Sequence, residues 1–212
     1  MEIRDLKLPP GLLPIELAGE GRRSVTYKAE RQGEIVALKV YREEFIVKYQ
    51  QRFGINIAQF EIKRNQQFYD IESLRPYAAR PIEILGIDDD YSLCFLQEFI
   101  VGLTLVELAN IMHGLPLSVL DAGRFICQTA EDAGMHDLDI FYKNVMVRKQ
   151  GDTWLPVLHD FNMIPQYLHP PNPFLALDYI TGIRRRSHRD WRCLKGWHAY
   201  SEQQKPGESI GH

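Results

Sequence analysis

Over the first hundred residues, apolar positions alternate with polar ones or form short runs bounded by turn residues. Such segments predict β-strands. We expect strands at residues 15–19, 24–31, 34–41, 80–87 and 91–99, with a hairpin turn at Gln32-Gly33 and an acidic turn at Asp88-Asp89-Asp90. Residues 45–71 have helical spacing instead, with a break or kink at Gly54.

The second half of the chain has mostly helical spacing. We expect helices at residues 103–112 and 118–133, the second capped by Ser118, and a basic helix from about Asp178 to Tyr200. Two β-branched or aromatic segments, 145–148 and 154–158, predict a second hairpin that turns at Gln150-Gly151-Asp152. A sheet-rich half followed by a helix-rich half indicates an α+β fold.

Composition excludes several classes of protein. The 212 residues are 45% hydrophobic and 25% charged, as in ordinary globular domains and unlike disordered chains. A net charge of −3 argues against a general nucleic-acid binder, so we expect no nucleic-acid partner. Three scattered cysteines, Cys94, Cys127 and Cys193, favour a reducing compartment over a disulfide framework or a Cys-rich zinc site.

The most apolar stretch, residues 91–112, is interrupted by Gln97, Glu98 and Glu107, so it does not predict a membrane span. The N-terminal residues have no basic segment followed by an apolar core, the pattern of a secretion signal. We therefore expect a soluble, cytoplasmic protein.

Two features of the first half suggest phosphate binding. Gly19-Glu20-Gly21-Arg22-Arg23-Ser24 lies at the turn between the first two predicted strands, where glycines let backbone N–H groups approach an anion. An ordinary hairpin turn is the alternative. Lys39 lies in the apolar strand segment Val36-Ala37-Leu38-Lys39-Val40. A buried ammonium needs an anionic partner, whereas an edge-strand lysine would reach water.

Two features of the second half suggest metal-assisted chemistry. Asp139 and Asn144 stand five residues apart before the predicted hairpin, and Asp160 follows it. The hairpin would bring Asn144 and Asp160 together. Two oxygen ligands suit Mg²⁺, which keeps room for phosphate oxygens. Asp139 would then lie beside the metal, where it could orient a hydroxyl nucleophile.

Taken in order, these motifs resemble the protein-kinase-like superfamily. That family has a glycine loop, a strand lysine, an Asp-x4-Asn loop and Asp-Phe-Gly, for which this chain has Asp160-Phe161-Asn162. The resemblance covers residues 15–165. It implies a two-lobed fold, with an antiparallel-sheet lobe at residues 1–99 and a shortened helical lobe at 100–212, and ATP and Mg²⁺ as cofactors.

The resemblance also implies roles for individual residues. Lys39 would hold the nucleotide phosphates and Asp139 would be the catalytic base, while Asn144 and Asp160 would hold Mg²⁺. The nucleotide-binding set would comprise Gly19, Gly21, Ser24, Lys39, Glu61, Glu98 and Ile100, the last two in a hinge at residues 97–100. The chain departs from the family at Asp137-Leu138-Asp139, which replaces His-Arg-Asp. Either Glu61 or Asn65 could pair with Lys39, and charge favours Glu61.

A finer resemblance concerns the acceptor. Fifty residues follow Asn162, without an Ala-Pro-Glu motif, which is short for the peptide platform of eukaryotic protein kinases. Such chains resemble the bacterial lipopolysaccharide-kinase group, comprising Kdo kinases, WaaP-type heptose kinases and the YrbL family, which end in a basic, tryptophan-containing helix. This implies a hydroxyl of a lipopolysaccharide core sugar, or of another small or glycolipid acceptor. An atypical Ser/Thr protein kinase and a regulatory pseudokinase are the alternatives.

Two further patterns have competing interpretations. The run from Arg184 to Lys195 contains six basic residues and one Asp. It could contact an anionic membrane, which would place the protein at the periphery of the inner membrane, or a phosphorylated substrate, or it could be a solvated helix face. His136-Asp137 and His159-Asp160 could belong to a metal-dependent phosphohydrolase of the HD type, but such enzymes need a helical scaffold, whereas strands are predicted between the two pairs.

Overall fold

The computed structural model describes residue 8, residues 11–85 and residues 94–204. The chain divides into two compact units, residues 1–100 and 101–212. The boundary predicted from the sequence lies one residue earlier than the boundary between these units.

The first unit is built on an antiparallel sheet. Its strands are β1 (Leu12–Glu20), β2 (Ser24–Arg31), β3 (Glu34–Tyr41), β4 (Pro81–Leu85) and β5 (Cys94–Glu98), in the order β1-β2-β3-β5-β4. The predicted β2–β3 hairpin is confirmed, with positive φ at Gln32 and Gly33 as a two-residue hairpin turn requires. The predicted acidic turn at Asp88-Asp89-Asp90 lies outside the described residues.

Two helices follow β3, α1 (Glu43–Phe53) and α2 (Ile57–Asp70). The predicted break is confirmed: Gly54 has a φ of 69° and its N–H donates to the Gln50 carbonyl at 2.9 Å, which ends α1. The Asn56 side chain then accepts hydrogen bonds from the N–H groups of Ala58 and Gln59, which starts α2.

Strand β3 separates two apolar clusters because its side chains alternate between the faces of the sheet. Val36, Leu38 and Val40 belong to one cluster, together with Leu12, Ala29, Leu85, Cys94 and Leu96. Tyr41 belongs to the other, with Ile46, Ile57, Ala58, Ile62 and Phe95 from α1, α2 and β5. The face that carries Ala37, Lys39 and Tyr41 is therefore the helix-covered one.

The second unit contains α3 (Leu105–Met112), α4 (Leu117–Asp132), α5 (Pro173–Ile180) and α6 (His188–Gln203), with a small sheet β6-β7-β8. Its strands are β6 (Leu103–Thr104), β7 (Val145–Gln150) and β8 (Thr153–Leu158). The predicted hairpin is the β7–β8 pair, which turns at Gly151 and Asp152. None of the described helices is long and apolar enough to cross a membrane.

The prediction of Ser118 as a helix cap is wrong. Helix α4 begins at Leu117, and its N-cap residue is Pro116, whose carbonyl accepts hydrogen bonds from Val119 N and Leu120 N. Pro116 has a φ of −56° and a ψ of 144°, the non-helical backbone of an N-cap residue, so the helix begins one residue before Ser118.

The prediction of one basic helix from Asp178 to Tyr200 is also wrong. Helix α5 ends at Ile180, and Gly182 after it has a φ of 74°, a left-handed conformation that ends the helical path. Helix α6 begins only at His188. The basic run is therefore divided between the α5–α6 connection and the first two turns of α6.

Helices α4 and α6 approach closely at Gly123. A Cβ added there would lie 2.6 Å from Leu194 Cδ1 and 2.7 Å from Trp197 Cζ3. Trp197 is fully buried, so this contact is part of the core of the second unit. The absence of a side chain at Gly123 therefore sets the spacing between the two helices.

Candidate active site

Lys39 and Glu61 form a buried ion pair in the first unit. Lys39 Nζ lies 2.7 Å from Glu61 Oε1, and the side chains are 5% and 1% exposed. Strand β3 lies between β2 and β5 in the sheet order, so the interpretation of Lys39 as an edge-strand lysine is wrong. Of the two residues considered as its partner, Glu61 makes the contact, while Asn65 Nδ2 donates to Gln97 Oε1 at 3.3 Å.

Tyr41 adds a second partner for the Glu61 carboxylate. It lies two residues after Lys39, on the same face of β3, and its hydroxyl donates to Glu61 Oε2. Each oxygen of this buried carboxylate therefore has a donor. Tyr41 was not among the site residues predicted from the sequence. The signal that could have found it is the period of two along the strand, which places Tyr41 beside Lys39.

The glycine segment only partly follows its prediction. Gly19 pairs with Thr26 in β1, which agrees with the predicted strand at residues 15–19 and places this glycine before the turn. The turn comprises Gly21, Arg22 and Arg23, and the Gly21 N–H donates to the Ser24 carbonyl at 2.9 Å. Ser24 is buried at the start of β2. A Cβ added at Gly19 would meet no atom within 4 Å, so the backbone there is open to close approach.

The predicted hinge residues lie at the end of β5. Glu98 N donates to the Arg80 carbonyl at 2.8 Å, and Glu98 Oε2 accepts from Arg80 N at 3.1 Å. The Glu98 N–H is therefore used within the unit. Ile100 is half-buried and is the last residue of the first unit.

In the second unit, Asp139 lies in a loop that α6 holds in place. The N–H groups of Asp137 and Leu138 both donate to the Asp190 carboxylate, each at 2.7 Å. On the other side of Asp139, the Ile140 carbonyl accepts from Trp197 Nε1 at 2.8 Å. Asp139 is half-buried and has a φ of 57°, an uncommon conformation for a residue with a side chain. The surrounding contacts thus fix a strained backbone at the predicted catalytic residue.

Asp137, which replaces the first residue of the family's triplet, is fully buried. Its Oδ2 accepts from Gln166 N at 2.5 Å, and its Oδ1 lies 3.4 Å from Arg189 Nε. Asp137 therefore connects the Asp139 loop to the segment after β8 and to α6. Sequence reasoning found neither this role nor that of Asp190, because an aspartate inside a basic run gives no local signal of a distant loop contact.

Asn144 and Asp160 lie at the same end of the β7–β8 hairpin. Val145 pairs with Leu158, Asn144 directly precedes β7, and Asp160 is the second residue after β8. Both are half-buried. An amide and a carboxylate oxygen match the preference of Mg²⁺ for hard oxygen ligands, so the residues present fit such an ion. Asn162, in place of the family's glycine, donates its N–H to Asp160 Oδ1 at 3.3 Å.

The two His-Asp pairs lie on either side of this hairpin. Residues 145–150 and 153–158 are strands, which is not the helical scaffold that the phosphohydrolase interpretation requires. Within residues 11–85 and 94–204, the structure brings together no group of three or more His, Cys, Asp or Glu side chains that could hold a metal.

Comparisons with known proteins identify the type of fold. No family model matches the chain, and no curated protein matches it. Among solved structures, it is similar to the kinase domain of PknI from Mycobacterium tuberculosis, with 18% identity over 93% of this chain and 76% of that chain, and a TM-score of 0.55. A double mutant of the same domain gives 17% identity, a TM-score of 0.62, and coverage of 93% and 74%. The predicted fold is confirmed: the chain has a protein-kinase-like α+β fold, with an antiparallel-sheet lobe and a helical lobe.

Proposed function

We propose that the protein is a kinase that transfers the γ-phosphoryl group of ATP to a hydroxyl. The observation that carries the proposal is the buried Lys39–Glu61 pair on β3 and α2 of a kinase-like fold. Burying two charges is costly, and apolar side chains of the same size usually stabilise a core as well or better. A fixed, oriented ammonium is useful when an anion such as a triphosphate must be held.

The other residues of the proposed active site have complementary roles. Lys39 positions the phosphates, and the backbone around Gly19 and Gly21 approaches them. The segment at Glu98 and Ile100 contacts the base. Asn144 and Asp160 hold Mg²⁺, which neutralises charge on the triphosphate when bound. Asp139 orients the acceptor hydroxyl and accepts its proton.

For the acceptor, we propose a hydroxyl of a lipopolysaccharide core sugar or another glycolipid. The basic residues from Arg184 to Arg186, next to the second-unit helices, would favour a phosphorylated acceptor. The alternative is a protein hydroxyl, as in an atypical Ser/Thr protein kinase, with which the kinase-like fold is equally compatible.

The test of nucleotide binding is thermal unfolding of the purified protein with and without Mg²⁺-ATP. A ligand bound only by the native state stabilises it by about 2.7 kcal/mol at a hundredfold excess over Kd. We expect a metal-dependent rise in Tm that Asp160→Asn abolishes. The matched control is Asp152→Asn, an exposed aspartate in the turn of the same hairpin. An equal rise in both variants, or none in the wild type, would overturn the proposed site.

A further inference from the structure

Helix α5 is apolar but buries none of its residues. Its sequence is Pro-Phe-Leu-Ala-Leu-Asp-Tyr-Ile, capped by Asn172, whose side chain accepts from Leu175 N at 2.9 Å. One side is attached to the unit, because Tyr179 Oη donates to Gln166 Oε1 at 3.1 Å. A helix of this composition normally buries its apolar face.

The other side of α5 presents large apolar side chains to solvent. Phe174 is 82% exposed, Leu177 55% and Ile180 82%, and their spacing of three residues places them on one face. Ile183, just after the helix, is 78% exposed and extends the same apolar stretch along the chain. A contiguous exposed apolar patch of this kind marks an interaction surface more often than scattered single residues do.

Basic side chains adjoin this apolar face. A cavity of about 290 Å³ is lined by Asp178, Ile183, Arg184, Arg185, His188 and Trp191. It places Arg184 and Arg185 beside Ile183. The acid in its wall, Asp178, has its Oδ2 3.8 Å from Arg184 Nε, a long and weak contact.

The positive charge continues along α6. His188, Arg192 and Lys195 are spaced four and three residues apart, so they lie on one helical face. Partial burial and the charges of Arg184, Arg192 and Lys195 lower the pKa of His188, while Asp137 opposes this effect, so the net field at His188 is positive. The carboxylates nearby have partners within the unit. Asp137 accepts from Gln166 N and lies 3.4 Å from Arg189 Nε, Asp190 accepts hydrogen bonds from the two loop N–H groups, and Glu131 Oε2 accepts from Trp191 Nε1 at 2.8 Å.

We propose that these residues form a docking surface for a bilayer containing anionic lipids. The docking surface consists of the apolar residues Phe174, Leu177, Ile180 and Ile183 and the basic residues Arg184, Arg185, Arg192 and Lys195. The apolar side chains enter the interfacial region of the bilayer, and the cavity beside Ile183 receives a lipid phosphate. The positive charge of the docking surface favours an anionic bilayer over a second copy of the chain, because two copies would bring the same positive charges together. The inference does not depend on the proposed phosphotransfer.

The direct test is co-sedimentation of the full chain with vesicles. One set is phosphatidylcholine alone, and the other contains about 30% phosphatidylglycerol, which gives the surface a negative potential. We expect binding to the anionic vesicles that weakens as salt increases, and little binding to the neutral ones. Equal binding to both sets, or to neither, would overturn the proposal.

Two paired variants separate the apolar and basic contributions. Phe174→Ser with Ile180→Ser should weaken partitioning by at least tenfold, because burying each side chain is favourable. Arg185→Glu with Arg192→Glu should weaken it by about 25-fold or more, at about fivefold for each basic residue near an anionic surface. The matched controls are Leu117→Ser, which is exposed on α4, and Lys149→Glu, which is exposed on β7.

Thermal unfolding first establishes that each variant is folded. If the docking variants then bind vesicles as well as the controls do, the surface is not where the bilayer docks. Size-exclusion chromatography tests the competing occupant: a dimer that Phe174→Ser dissociates, without vesicle binding, would assign the face to a second copy and overturn the proposal. If inorganic phosphate raises the Tm of a protein that does not bind vesicles, the cavity binds a free anion and the proposal is overturned.

Discussion

At the scale of single residues, the Glu61 carboxylate combines the features expected of a functional group. It is buried, it pairs with Lys39, and it accepts a hydrogen bond from the Tyr41 hydroxyl. Lys39 could be predicted from the sequence because a charge in an apolar strand needs a partner, and Glu61 was favoured over Asn65 because it carries the opposite charge. For Tyr41, the spacing of two residues along β3 indicates only that it shares a face with Lys39, because its bond to Glu61 depends on how α2 packs across the sheet.

We predict that Glu61→Gln destabilises the protein by about 3 kcal/mol at neutral pH, since it removes the carboxylate charge that lies 2.7 Å from the buried Lys39 ammonium. The measurement is urea unfolding. The matched control is Glu16→Gln, whose partner Lys28 lies 2.9 Å away in an exposed pair and should contribute less than about 1 kcal/mol.

The double variant Lys39→Met with Glu61→Gln separates stability from binding. It removes both buried charges, so it should lose less stability than Glu61→Gln alone. It should nevertheless show no Tm rise with Mg²⁺-ATP. A double variant that binds ATP normally would show that the buried pair serves the core only.

At the scale of elements, prediction succeeded where local signals agree and failed where one residue redirects the chain. The β2–β3 hairpin, with its Gln32-Gly33 turn, follows directly from alternation and turn chemistry. The single basic helix was wrong because the left-handed Gly182 ends α5, and helical spacing alone does not reveal that conformation. The extent of β1 was underestimated, since the strand contains register shifts near Pro14 and Leu17 that disturb its alternation.

Gly123 lies at the contact between α4 and α6. This contact includes Trp197, which donates a hydrogen bond to the loop that carries Asp139. We predict that Gly123→Ala destabilises the second unit by about 1–3 kcal/mol, because the new Cβ overlaps Leu194 and Trp197. Displacing Trp197 also weakens its hydrogen bond to the Ile140 carbonyl, so turnover should fall with stability. The measurements are chemical denaturation and phosphoryl transfer.

The matched control is Gly196→Ala on α6, where an added Cβ meets no atom within 4 Å. Because alanine favours helix over glycine, this variant should be neutral or stabilise the protein by up to about 1 kcal/mol. If both variants lose stability equally, the close approach of α4 and α6 is not the cause.

At the scale of the whole molecule, the fold could be predicted although the sequence matches no family model. The order of motifs and the pattern of core positions specify the architecture, and the PknI kinase domain shares it at 18% identity. The contacts that hold the Asp139 loop in place could not be predicted in this way. Asp190 and Trp197 fix the Asp139 loop from more than fifty residues away along the chain, a relation that depends on the packed position of α6.

The difference between a kinase and a pseudokinase is also a property of the whole molecule, because it requires binding and chemistry to be measured together. We predict that Asp139→Asn retains the Tm rise with Mg²⁺-ATP but lowers phosphoryl transfer by about 10²–10⁴-fold, the usual contribution of a general base. The assay follows γ-labelled phosphate from ATP into a bacterial glycolipid extract and, separately, into protein. Asp132→Asn, exposed at the end of α4, is the control and should transfer normally. Transfer that is equal in Asp139→Asn and the wild type would contradict the assigned base. ATP binding by a wild type that transfers phosphate to neither acceptor would instead favour the pseudokinase alternative.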